Sequence, residues 1–177
     1  MQKFTTKKGK KIIIRPPTKT DSGNMTSFFN RLIEEDTYII RNADLVTVGQ
    51  EEKWLRGVLA RIEKKKTVFL QAYFNDRLVG QVEINKNDYR KKYVGTLHLA
   101  VNKDFRGEGI GEELIKLAEE EVKKLGVTII DLTAIDGNSP AISLYKKLGH
   151  IEFGRLPEAV DFKGKMLDEV YMYKKLD

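Results

Sequence analysis

The sequence predicts a single mixed α/β domain, and three observations carry that reading. Apolar runs with strand-like alternation take turns with stretches at helical spacing along all 177 residues. The elements follow the order β-α-α-β-β-β-α-β-α-β-β, which fits a sheet with helices packed on it. One strand–helix–strand unit, residues 96–134, carries Gly107, Gly109 and Gly111 at its first turn. Such units are almost always right-handed with parallel strands.

The elements read as follows. Residues 1–11 form a loose basic arm, and residues 12–177 the folded domain. Ile12 to Arg15 is a strand closed by Pro16 and Pro17. Thr20 and Asp21 can cap a helix running to about Glu35, with Phe28, Phe29, Leu32 and Ile33 as its buried stripe. The segment from Glu34 to Val48 is a connection. A second helix spans about Gln50 to Lys65, with Trp54, Leu55, Val58, Leu59 and Ile62 on one side. Thr67–Tyr73 and Leu78–Asn85 pair as a hairpin around a turn at Asn75–Arg77. Asn87–Lys92 is a polar loop, and Thr96–Val101 a strand with Leu97, Leu99 and Val101 on one face. The helix after the glycines buries Ile110, Leu114, Leu117, Ala118, Val122 and Leu125, and Gly126 ends it. Thr128–Ala134 is a strand. Ser139 can cap the next helix, with Pro140 in its first turn and Gly149 at its end. Ile151–Arg155 and Glu169–Lys174 are the last strands.

Composition removes several functions. No cysteine is present, so disulfides, zinc–thiolate sites and thiol nucleophiles are excluded. No apolar run approaches a membrane span, and the basic start MQKFTTKKGKK lacks the apolar core of a secretory signal, so a cytoplasmic protein is expected. The net charge is +6, but Lys and Arg alternate with Asp and Glu along most of the chain. That is a solvated, ion-paired surface, and it argues against nucleic acid as a partner.

The loop "RGEGIG" at Arg106–Gly111 carries the chemistry. It lies at the carboxyl end of a strand and opens a helix, where free N–H groups and the helix dipole favour an anion. Glycine lets backbone approach phosphate oxygens without an intervening Cβ. Arg106 adds a forked cation. An ATP loop is a rival, but Glu112 and Glu113 stand where Lys-Ser/Thr is required. A dinucleotide fingerprint is another, with Asp131 as the ribose acid, but its third glycine would fall at Glu112 and no second βαβ half exists. A pyrophosphate is the ligand these residues suit.

With that loop in view, the chain resembles the GNAT acyltransferase superfamily. Its motif Arg/Gln-x-x-Gly-x-Gly/Ala corresponds to Arg106, Gly109 and Gly111. "NSPAISLYKKLGH" at Asn138–His150 is similar to its second motif, Asn-x-x-Ala-x-x-Leu-Tyr-x-x-x-Gly-Phe, departing only at His150. The tail "FGRLPEAVDFKGKMLDEVYMYKKL" resembles a common microbial branch. The resemblance covers nearly the whole chain. It implies a single-domain fold with a mixed, mostly antiparallel central sheet flanked by helices, and one parallel, splayed strand pair. It implies acetyl-CoA as cosubstrate and no metal. Pantetheine would enter between the splayed strands against backbone groups of Leu99 and Val101. Amides of Gly107, Gly109, Ile110 and Gly111, with Arg106, would hold the pyrophosphate. Asn138 and Ala141 would meet the cofactor from the next strand end, and Tyr145 would face the thioester sulfur. Helix capping is the plainer role for Asn138, and core packing for Tyr145.

The reaction implied is attack of a primary amine on the thioester in a ternary complex. An alkyl amine arrives protonated at neutral pH and needs a base, directly or through water. Glu83 and His98 are the candidates. Tyr145 is the candidate acid for the leaving thiolate, and the Val101 N–H a donor to the developing oxyanion. His150 reads as structural. Glu34, Glu35 and Asp36 could attract a cationic acceptor, either a small molecule such as a polyamine or a protein amine. The oligomeric state is open between monomer and homodimer. A non-catalytic CoA-binding regulator on the same fold is the alternative function.

Overall fold

The computed structural model describes residues 1–38 and 44–176. Residues 39–43, part of the expected connection after the first helix, lie outside the described residues. Among the described residues, eight strands form one sheet: β1 Gln2–Thr5, β2 Lys11–Arg15, β3 Thr67–Phe74, β4 Arg77–Lys86, β5 Val94–Val101, β6 Ile129–Ile135, β7 Ile151–Phe162 and β8 Lys165–Lys175. Their spatial order is β1-β2-β3-β4-β5-β6-β8-β7. Every neighbouring pair is antiparallel except β5–β6.

Among the described residues, four α-helices cover the sheet: α1 Ser22–Glu34, α2 Val48–Glu63, α3 Ile110–Lys123 and α4 Ser139–Lys147. On one face, Ile110, Leu114, Ala118 and Val122 of α3 pack with Tyr145 of α4 on Val82, Ile84, Leu97, Ile130 and Leu132. On the other, Met25, Phe28 and Leu32 of α1 and Leu55 and Val58 of α2 pack on Phe69, Tyr73 and Leu78. β3 and β4 therefore feed both cores by alternation.

Local chemistry explains most boundaries. Thr47 caps α2 in a reciprocal box with Gln50. Asp21 precedes α1 but makes no capping bond. Its carboxylate is committed to Arg15 at 2.7 Å on both oxygens and to the Thr18 N–H at 2.6 Å. Asn138, not Ser139, caps α4, by accepting from the Ala141 N–H at 3.4 Å. The Asn75–Asp76 turn joins β3 to β4 with both residues at positive φ, as a two-residue hairpin demands. On the side of α2 read from the sequence, Leu55 and Val58 are buried while Trp54 stays 41% exposed, its ring edge-to-face with Phe69 at 5.7 Å.

Two regions differ from the expected layout. The arm is not loose: β1 pairs with β2 from Gln2↔Ile14 to Thr5↔Lys11. The last two strands are also longer than expected, running through Phe162 and from Lys165 around a turn at Lys163 and Gly164, both at positive φ.

Candidate active site

The site begins where the sheet comes apart. β5 and β6 pair only at Val94↔Ile129, Gly95↔Ile130 and Thr96↔Asp131. Beyond them β5 stays on β4 as far as Gly80↔Val101, and β6 stays on β8 as far as Ile135↔Glu169. A wedge therefore opens between Leu97–Val101 and Leu132–Ile135. The Asn102 N–H donates to Val79 O at 2.9 Å on the β4 side. By strand alternation the backbone groups of Val101 and Leu99 face the wedge. Val101 O accepts from Arg106 Nε at 2.9 Å, which leaves the Val101 N–H and both backbone groups of Leu99 without a strand partner.

The glycine loop stands at the wide end of the wedge, and its three glycines do different things. Gly107 has φ +71°, and a Cβ there would meet no atom within 4 Å. It leaves open, exposed space just before α3. Gly109 has φ +93° and is the left-handed residue that directly precedes Ile110, the first residue of the helix. Gly111 serves close packing: a Cβ would lie 3.2 Å from Leu144 and 3.3 Å from Leu99. The third glycine thus brings α3 against β5 and α4, a packing task in addition to the amide contact expected of it. An anion with an extended, amide-bearing tail fits this arrangement of helix start and unpaired strand edge.

Arg106 is not free to meet an anion in this structure. Its guanidinium forms a two-pronged ion pair with Glu35, with Nη2 at 3.0 Å from Oε2, and its Nε donates to Val101 O at 2.9 Å. Asp36 pairs with Lys163 at 3.2 Å, while Glu34 is exposed. Two of the three carboxylates expected to draw in a cationic acceptor are therefore already paired with cations of this chain.

Glu83 and His98 are register partners on β4 and β5, so their side chains share the face covered by α1 and α2. His98 is exposed. The Glu83 side chain is only 13% exposed and accepts from Arg61 Nη2, at the end of α2, at 2.6 Å. Tyr145 lies in the opposite core, 6% exposed, and burial alone pushes its phenol up to about 12. The two candidate bases are thus together on one face, and the candidate acid is on the other, with the wedge in the sheet between them.

His150 packs edge-on against Tyr145, with ring centroids 5.8 Å apart. It is 2% exposed, and neither ring nitrogen has a hydrogen-bond partner. Burial, reinforced by Lys174, lowers its pKa to about 4. Lys174 is itself bonded to Glu119 at 2.6 Å. The ring fills an aromatic position as expected and stays neutral.

At the far rim, Phe162 on the β7–β8 hairpin tip stacks on Tyr38 just after α1, with centroids 4.4 Å apart. A Cβ on Gly137, next to Asn138, would lie 3.4 Å from the Tyr38 hydroxyl. This corner could not be read from the sequence, since Tyr38, Gly137 and Phe162 are at least 25 positions apart.

The comparisons with known proteins agree with this geometry. The profile of the Acetyltransferase (GNAT) family matches residues 28–150. An uncharacterized N-acetyltransferase of Methanocaldococcus jannaschii is 35% identical over 108 residues, which is 58% of this chain and 48% of that protein. A prophage-derived N-acetyltransferase of Bacillus subtilis is 28% identical over 137 residues, 76% of this chain and 77% of that one. The aligned part therefore spans about half the length of the first relative. A Salmonella typhimurium protein solved with acetyl-CoA as its cofactor superposes with a TM-score of 0.81 at 20% identity, covering 94% of both chains.

Proposed function

Because the chain belongs to the Acetyltransferase (GNAT) family of acyltransferases, which draw on acetyl-CoA, we propose that it moves an acetyl group to a primary amine. The observation that carries this reading is the parting of β5 from β6 beyond Thr96↔Asp131, beside the glycine loop. A sheet that forfeits its own hydrogen bonds leaves the Leu99 N–H and C=O and the Val101 N–H for the amides of pantetheine, while Val101 O is held by Arg106. The loop amides at Gly107, Gly109, Ile110 and Gly111 suit the pyrophosphate, and Asn138 and Ala141 border its path.

Acetyl-CoA supplies the activated acyl group, and the residues of the chain handle protons and charge. Glu83 and His98 face the side from which an amine would enter. Glu83, held by Arg61, takes the amine proton through water, and His98 is the second candidate for that task. The Val101 N–H donates to the oxygen that gains charge. Tyr145 keeps its proton throughout the neutral range and can deliver it to the departing sulfur. The corner of Tyr38, Phe162 and Gly137 bounds the acceptor side, with a small-molecule or a protein amine as the acceptor. The carboxylates of Glu35 and Asp36, already paired, are set aside as acceptor contacts.

The test is titration calorimetry with acetyl-CoA, followed by a thiol-release screen of small amines and peptides. Micromolar binding with turnover on an amine supports the transferase. Binding without turnover favours the alternative, a CoA-binding regulator, and no binding overturns the cradle.

A further inference from the structure

Glu108 sits in the middle of the glycine loop, between Gly107 and Gly109. A carboxylate there is a poor neighbour for a pyrophosphate, since like charges a few ångströms apart repel. The structure turns it completely inward: Glu108 is 0% exposed. It is received by the N-terminal hairpin. Thr6 Oγ1 donates to Oε2 at 2.9 Å, Lys10 Nζ lies 2.6 Å from Oε1, and Lys8 Nζ lies 3.7 Å from the same oxygen. The Lys7 N–H donates to Glu108 O at 3.2 Å. The Lys10 bond, helped by Thr6, holds the carboxyl below its ordinary range and so ionised.

The hairpin is built to hold this grip. Thr6 Oγ1 accepts from the N–H groups of Lys8 and Lys10, and the Thr6 N–H donates to Lys10 O at 2.9 Å. Lys10 also reaches Asp104 O at 3.5 Å and lies over the Phe105 ring at 4.3 Å, so it spans the turn that leads into the loop. Phe4 stands behind Gly109, 3.4 Å from where a Cβ would be. Gln2 Nε2 donates to Glu113 in the first turn of α3 at 3.2 Å.

We propose that the N-terminal hairpin is part of the cofactor site: Lys10 and Thr6 are positioning residues that draw the Glu108 carboxylate away from the phosphate and neutralise it. This rests on the acetyl-CoA reading of the loop. Without Lys10, the buried carboxylate beside the anion site keeps only the Thr6 hydroxyl and the largely exposed Lys8 at 3.7 Å. Without the carboxylate, Lys10 has nothing to restrain.

The experiment is calorimetry with acetyl-CoA on wild type, Lys10→Met, Glu108→Gln and the double variant, with thermal melting of each unliganded protein and a kcat and KM for each. Lys10→Met should weaken acetyl-CoA binding at least tenfold and raise its KM in step, with kcat within about twofold of wild type. The double variant carries no buried lone charge, so it should fold, and it should bind within about threefold of Glu108→Gln alone. A folded Lys10→Met that binds as wild type does overturns the proposal. So does a double variant that melts like wild type yet binds as weakly as Lys10→Met. Wild type that binds no acetyl-CoA overturns the parent reading and this proposal with it. Wild-type binding with an unaffected Lys10→Met overturns the clamp alone.

Discussion

Arg106 and Glu35 join the two sides of the molecule: the first residue of the glycine loop is ion-paired with the C-cap of α1. The pair crosses from the glycine loop to the end of α1, which on the proposed function borders the acceptor side. The Arg106 side chain is 41% exposed, so its contribution to stability is small, about 0.2–1 kcal/mol.

Removing Glu35 should therefore be felt in binding more than in folding. Glu35→Gln leaves an unmatched guanidinium beside the loop. Acetyl-CoA should bind about two- to fivefold tighter at low salt, with the gain shrinking as ionic strength rises. The melting temperature should move by no more than a few degrees. Calorimetry at two salt concentrations checks this, and an unchanged constant at low salt contradicts it.

Tyr145→Phe should separate turnover from binding. It removes a donor and almost no contact area, so kcat should fall about 10²-fold or more while the acetyl-CoA constant stays within about twofold. Burial raises the phenol to about 12, so it remains protonated well above neutrality. The rate of the wild-type enzyme should show no alkaline decline from this group below about pH 10. Steady-state kinetics from pH 7 to 10 tests both statements.

The glycines should respond differently to a single methyl group. At Gly111 a Cβ meets Leu144 and Leu99 at 3.2 and 3.3 Å, so Gly111→Ala should cost about 1–3 kcal/mol. That corresponds to several degrees of melting temperature in a chain of this size. At Gly107 the space is open and the cost is mainly the positive φ, about 1–2 kcal/mol. Gly107→Ala should weaken acetyl-CoA binding by about tenfold or more, because its methyl group enters the open space from which the loop amides would meet the pyrophosphate. Equal loss of binding in both variants would contradict the assignment.

His150→Phe should stabilise the protein. Two buried ring nitrogens without partners are exchanged for an apolar edge, worth about 1–2 kcal/mol. The pH dependence has a definite sign. The ring takes a proton at about 6.5 in the unfolded chain but only at about 4 when folded beside Lys174. Between those values the unfolded state binds more protons, so wild-type stability is full above about pH 6.5 and is lost as pH falls toward 4. The variant should lose this part of the acid sensitivity, as urea unfolding at pH 4.5 and 7.5 would show.

The central unit was legible because its signals are local. Gly107–Gly111, the apolar spacing from Ile110 to Val122 and the Asn138–Gly149 motif all lie within single elements or adjacent turns. The N-terminal hairpin was not legible. Gln2–Thr5 has little strand character by itself and gains its place from β2 and from Glu108, 102 residues after Thr6. The partners of the site were hidden for the same reason: Arg61 meets Glu83 and Arg106 meets Glu35 only through the tertiary fold. The long β7–β8 hairpin was obscured by Pro157 and by the register break between Leu156 and Val160. Its signal was Lys163-Gly164, two positive-φ residues flanked by paired Phe162 and Lys165.

The parting of β5 from β6 makes the sheet two leaves on a short spine. Five strands lie on one side and three on the other, joined along the backbone at Val94, Gly95 and Thr96. At Gly95 a Cβ would come within 2.8 Å of Ile84, so the spine is pressed tight while the leaves stand apart. On the reading developed here, the cosubstrate binds the leaves together as a ninth strand would, and it is read mainly by main-chain atoms. Recognition written in the main chain survives the replacement of side chains. The lining of the wedge can therefore drift over generations while its guest stays the same, and the acceptor corner is left free to diverge.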